Sequence, residues 1–290
     1  MTAADPVSFR YDHDGLALAG RLYGRLDEGP FPFVCLPGLT RNSRDFDGFA
    51  EAIRAGSFSR PVVAFDYRGR GLSDRADPAT YTLPVEMADI IAGLAHLGIA
   101  RAVFVGTSRG ALMLHLLVAD RRDLLAGVVL NDAGPRLEME GLLAIKAYVG
   151  KTGTLPNWQA ATNRVRDINA ETFPALSHVD FERMARANFV ETPEGVVPDY
   201  DQRLADGLAG IDPTHPLSEL WDAFAAFRDI PLLLLRGEHS RLLSRQTVER
   251  MRQVHPTMQA VEVPGQGHAP LLETGDLPAR IGAFAASIES

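Results

Sequence analysis

Ser108, His268 and a few acids and amides spread along the chain are the residues whose types could act together chemically. Ser108 is the middle of Gly106-Thr107-Ser108-Arg109-Gly110, which lies between a short apolar run at 102–105 and the helical spacing of Leu112, Leu116 and Leu117. In that setting Gly-x-Ser-x-Gly has the form of a nucleophile elbow. A sharp strand-to-helix turn strains the serine backbone, and the flanking glycines remove side chains that would collide there. The hydroxyl then stands clear of the sheet, beside the positive end of a helix. The plainer reading is a serine capping a helix after a glycine turn. The pentapeptide alone does not separate the two.

A serine hydroxyl is a poor nucleophile at neutral pH until a base takes its proton. His268 is the best candidate base. It follows the last expected strand in Gly267-His268-Ala269-Pro270, a loop able to reach across the top of a sheet. His239, at another strand end, is a weaker rival. His96 and His115 fall in helical segments, His178 at a helix start, His215 and His255 beside prolines, and His13 in a turn. Attack on a carbonyl creates an oxyanion, which needs donors fixed in advance. Elbow geometry offers the Arg109 N–H, and the Pro37-Gly38-Leu39 turn offers the N–H of Leu39. The side chains of Arg41 and Arg109 are candidates for contact with an anionic substrate group, or for structural salt bridges.

The elements that must position these groups alternate. Two short strands are expected over 9–23, with a turn at 12–15. Buried strands follow at 32–36, 61–67, 102–105, 126–130 and 231–235, and a last strand at 259–263. Helical spacing falls between them at 45–55, 83–97, 217–227 and 244–254, and a helix closes the chain. Strands alternating with helices predict an α/β fold, a mostly parallel central sheet covered by helices on both faces. Leu39, Asp66, Ser108, Asp132, Glu238 and His268 all fall at the C-terminal ends of expected strands, where such sheets carry function. From 135 to 213 the strand pattern stops and helical segments appear, as at 140–149 and 178–189. This predicts a helical cap over 135–213 inserted into a core of 1–134 and 214–290. Trp158, Phe173, Phe181 and Phe189 supply its aromatic core.

Composition sets the outer limits. The chain has 290 residues, 46% hydrophobic and 23% charged, with a net charge of −8. That allows a large core. There is no basic stripe, so nucleic acid is not expected as a partner. The one cysteine, Cys35, lies in an apolar run and reads as a buried structural thiol. The polar N-terminus lacks a signal-peptide apolar segment, and no run approaches the ~20 apolar residues of a membrane span. The expectation is a cytoplasmic protein with a small-molecule substrate and no membrane partner; oligomeric state is open.

These pieces resemble the α/β-hydrolase fold superfamily, in particular its cap-bearing branch. The resemblance is carried by Leu36-Pro37-Gly38-Leu39, Asp66-x-Arg68-Gly69-x-Gly71-x-Ser73, the elbow, and Gly267-His268, and it spans the core. It implies Ser108 as nucleophile, His268 as base, and a third, acidic residue that orients His268. It implies no metal and no organic cofactor. In much of the superfamily the acid follows the strand that here is 231–235, but this chain has Arg241 where that acid is expected. Three readings stay open. The acid is Asp132, after the strand that follows the elbow helix, as in some members; or it is Glu238; or the triad is broken and Arg241 is the lesion. The implied activity is that of a serine hydrolase cleaving a small ester, lactone or related carbonyl through an acyl-enzyme. The alternatives are a carbon–carbon bond hydrolase of a ring-cleavage diketone and a catalytically impaired ligand-binding protein.

Overall fold

A computed structural model describes residues 6–27, 29, 31–214 and 217–289; His215 lies outside them. The first strands, β1 (Val7–His13) and β2 (Leu16–Tyr23), form an antiparallel hairpin about Asp14-Gly15, both at positive φ. Then come β3 (Phe33–Leu36), α1 (Asp47–Ala55), β4 (Val62–Asp66), α2 (Leu83–His96), β5 (Ala102–Thr107), α3 (Arg109–Asp120) and β6 (Leu125–Asn131). A short 3₁₀ turn at Ser43–Phe46 leads into α1, where sequence periodicity had suggested a helix from 45.

Between β6 and the next core strand lies the insertion. It holds α4 (Met139–Tyr148), α5 (Trp158–Asn169) and α6 (His178–Asn188), and also a hairpin, β7 (Phe189–Thr192) with β8 (Gly195–Pro198). The hairpin corrects the all-helical expectation for 135–213. The core then resumes with α7 (Trp221–Ala225), β9 (Leu232–Gly237), α8 (Arg245–Val254), β10 (Gln259–Val263) and α9 (Leu277–Ser287). Helix α7 is much shorter than the 217–227 expected from spacing, because the chain before it is irregular and pairs the Leu220 N–H with the Pro135 carbonyl.

The main sheet runs in the order β1-β2-β4-β3-β5-β6-β9-β10, parallel from β4 onward, with β1 and β2 antiparallel at one edge. Its central strands are apolar on both faces because both faces are covered. Val34, Leu36 and Phe104 pack on one side with Ile90, Leu114 and Met251. Phe33, Cys35, Val103 and Val105 pack on the other with Phe49, Ile281 and Phe284. Successive residues alternate between these cores, as the period of a strand requires. Cys35 is fully buried, and that burial pushes its thiol pKa up.

The insertion is tied to loops at the C-terminal ends of the parallel strands. Asn42 and Arg44 both donate to the Ala187 carbonyl at 2.9 Å. Tyr81 donates to Asp201 at 2.8 Å. Phe173, Phe181 and Phe189 are buried inside the insertion, with Trp158 packed against them.

Candidate active site

Ser108 is the hinge between β5 and α3, at φ 52 and ψ −108. A side chain at Gly110 would stand 2.1 Å from the Leu36 carbonyl oxygen, and one at Gly106 would stand 2.7 Å from the backbone of Gly110 and Ala111. Neither position admits a Cβ, so the glycines of the pentapeptide are required by the closeness of the turn. Three non-glycine residues have positive φ among the described residues: Asp14, Ser108 and Asp132. Such a backbone costs of order 1–3 kcal/mol and persists where surrounding structure imposes it. Two of these residues lie in one hydrogen-bonded chain.

That chain is short and continuous. Ser108 Oγ lies 2.7 Å from His268 Nε2, and His268 Nδ1 lies 2.8 Å from Asp132 Oδ2. A carboxylate oxygen accepts, so the imidazole carries its proton on Nδ1 and leaves Nε2 to accept from the serine hydroxyl. Asp132 is fully buried, and its other oxygen accepts the Gly237 N–H at 2.8 Å. Gly237 lets the end of β9 come this close: a Cβ there would stand 2.2 Å from the Gly267 carbonyl oxygen in the His268 loop. Asn131, which sequence reading passed over, donates to the Pro270 carbonyl at 3.0 Å and anchors the other side of that loop.

The remaining acid candidates lie elsewhere. Glu238 accepts the Gly265 N–H at 2.8 Å and makes no contact with His268. Arg241 is part-exposed and pairs with Glu140 and Glu171. The rival base His239 sits beside Glu238 at 3.8 Å, away from Ser108. His13, expected only to fill a turn, lies 2.8 Å from the Asp89 carboxylate.

A chamber opens over Ser108, lined by Gly38, Leu39, Arg41, Asn131 and His268 among others. The amides of Leu39 and Arg109 donate to no acceptor among the described residues. A buried ion cluster braces their two segments. Glu86, fully buried, bonds Arg70 Nη1 at 2.7 Å through one oxygen and Arg109 Nε at 2.6 Å through the other. Arg70 in turn donates from Nε to the Leu39 carbonyl at 2.9 Å. The Arg109 side chain is therefore structural, while Arg41 pairs with Asp45 at 3.1 Å and also lines the chamber. Arg70 and Glu86 were not singled out in the sequence; only the fold brings them together.

One more ionisable group lines this chamber. Burial pushes the Glu273 carboxyl up to about 7, with the nearby Asp45 and Asp180 carboxylates raising it further and Arg183 opposing them.

A 3-hydroxybutyrate-oligomer hydrolase of Cupriavidus necator is 31% identical over 249 residues, covering 83% of each chain. A 2-(acetamidomethylene)succinate hydrolase of Mesorhizobium japonicum is 31% identical over 265 residues, 90% of this chain and 88% of that one. The crystal structure of an alpha/beta hydrolase from Novosphingobium aromaticivorans superposes with a TM-score of 0.89 at 36% identity, covering 98% of this chain and 99% of that one. These named relatives support hydrolase activity. Residues 33–281 match the alpha/beta hydrolase family, and the chain belongs to it.

Proposed function

We propose that this protein is a serine hydrolase that cleaves a small ester, lactone or related carbonyl substrate through an acyl-enzyme on Ser108. The observation that carries the reading is the unbroken chain from Ser108 Oγ through His268 to the buried Asp132, at 2.7 and 2.8 Å. In the first step Ser108 attacks the carbonyl carbon and His268 Nε2 takes the hydroxyl proton. Asp132 holds the imidazole in the required tautomer and stabilises the imidazolium. The amides of Leu39 and Arg109 receive the oxyanion, and the Glu86 brace keeps them in place. His268 then passes its proton to the leaving alcohol. Water, deprotonated by the same nitrogen, releases the acid and restores Ser108. The insertion acts as a cap that keeps bulk water from the acyl-enzyme. The likeness to a 3-hydroxybutyrate-oligomer hydrolase supports the ester reading.

Arg241 gives no support to an impaired site, since the carboxylate beside His268 is Asp132. A reaction without a cofactor and a cytoplasmic setting are part of the same proposal. A fluorophosphonate probe tests it. The expected result is one label per chain, on Ser108, with labelling abolished in Ser108→Ala and slowed in His268→Ala. Labelling elsewhere, or none, refutes the proposal. A product assay on a ring-cleavage diketone distinguishes carbon–carbon hydrolysis from ester hydrolysis.

A further inference from the structure

A second chamber, under the insertion, adjoins the Ser108 chamber at His268. The two share Thr40, Arg41, Tyr148 and His268. The second chamber differs from the first in charge. Asp45 and Glu273 line the first; no acidic residue among the described ones lines the second, and Arg41 is its one formal charge.

Three donors line that wall. Arg41 spends one guanidinium nitrogen, Nη1, on Asp45 at 3.1 Å, and its other nitrogens meet no acceptor among the described residues. The Tyr148 phenol lies close enough to Arg41 and Tyr200 to feel both. Its hydroxyl is not engaged by any described residue. The Tyr200 hydroxyl accepts the Gly150 N–H at 3.1 Å, which leaves its own proton to donate. Burial pushes both phenols up in pKa, so both remain protonated donors at neutral pH. All three are part-buried, and a guanidinium beside two phenols matches the lone pairs of a carboxylate. Arg41 is also near the reacting centre: a Cβ built on Gly38 would lie 3.3 Å from Arg41 Cγ and 3.9 Å from Ser108 Cβ.

We propose that the second chamber is a carboxylate subsite, in which Arg41, Tyr148 and Tyr200 hold the distal carboxylate of an ester whose scissile carbonyl sits at Ser108. The inference rests on the reading of Ser108 as the acylated nucleophile. It narrows the substrate class to acyl groups that end in a carboxylate a short spacer away.

Two measurements separate this inference from the reading beneath it. The first compares kcat/KM for p-nitrophenyl hydrogen glutarate and for its isostere with an isopropyl group in place of the carboxylate. The parent protein is expected to favour the carboxylate ester tenfold or more. Arg41→Gln is expected to reduce that preference by about tenfold to a hundredfold, the range of a charge-assisted hydrogen bond, with most of the change in KM. Arg41→Lys keeps the charge and should restore part of the preference. A parent without preference, or an Arg41→Gln preference equal to the parent's, overturns the subsite. The second measurement needs no turnover: calorimetric binding of glutarate to Ser108→Ala, with and without Arg41→Gln. Binding lost with Arg41 supports the subsite whatever Ser108 does. Absence of binding in the Ser108→Ala protein, or binding indifferent to Arg41, overturns it.

Discussion

Asparagine at position 132 is nearly the same shape as aspartate, yet the structure predicts that it disables the site. Asp132 Oδ1 accepts the Gly237 N–H and Oδ2 accepts the His268 Nδ1–H, each at 2.8 Å. An amide has only one oxygen for these two donors. With the oxygen on Gly237, the amide NH₂ faces His268 Nδ1 and donates to it. The imidazole proton then moves to Nε2, which donates to Ser108 Oγ and can no longer accept its proton. With the amide flipped, the NH₂ faces the Gly237 N–H, donor against donor in a fully buried place, at a cost of about 1–3 kcal/mol. The disabled orientation therefore dominates. If the flipped minority carries turnover, acylation falls by about 5- to 150-fold. If it does not, the fall approaches ~10⁴, about 5 kcal/mol of barrier, as in the serine-protease precedent. The assay is the rate of the p-nitrophenol burst from an activated acetate ester, with thermal unfolding as a fold check. Asp132→Asn keeps its burial and the Gly237 bond, so its melting point should stay within a few degrees of the parent's. A folded Asp132→Asn protein that acylates within about twofold of the parent would falsify the assigned role of Asp132.

Three further expectations follow from the same coordinates. Glu86→Gln leaves the buried Arg70 and the part-exposed Arg109 guanidiniums without their shared carboxylate, so urea unfolding should show a loss of about 3 kcal/mol; the surviving folded protein should lose kcat more than it changes KM, because the Leu39 and Arg109 amides are less firmly placed. Glu273 is raised from 4.5 to about 7, so its fold favours the protonated form. Its contribution to stability is complete below pH 4.5 and lost as pH rises toward and through about 7, amounting to about 3 kcal/mol. Glu273→Gln should accordingly match the parent at pH 4.5 and exceed it at pH 8 in urea midpoints; equal pH dependence in the two would contradict the burial argument. Restoring an aspartate with Arg241→Asp should change acylation less than twofold, whereas a large gain would identify Arg241 as a lesion after all.

The parts that could be read in the sequence are those written in a local pattern. The runs of β3, β4, β5 and β9 are apolar on both faces, and their positions follow directly from that. The elbow glycines stand out because no Cβ fits beside Leu36 or Ala111. His268 could be found because it follows the last strand. The hairpin β7–β8 was missed for a physical reason: its strands are four residues each, half of β7 faces solvent, and beyond itself it pairs with the chain through an isolated bridge from Val196 to Leu155. The helix expected over 217–227 failed because apolar spacing there reflects a short turn closed by Phe224, not a continuous stripe. The acid was ambiguous in sequence because its partners are distant. Gly237 lies 105 residues from Asp132 and His268 lies 136 away, and only sheet order brings β6 beside β9. Arg41, Tyr148 and Tyr200 come from three separate segments, and no spacing announces their meeting.

The central claim is that Ser108 carries the acyl group. Mixing the protein with p-nitrophenyl acetate, quenching in acid and weighing the intact chain and its peptides reads this directly. The account predicts one acetyl per chain, on Ser108, accumulating during the burst and absent from Ser108→Ala. Steady ester turnover with no adduct, or equal turnover in Ser108→Ala, would contradict it.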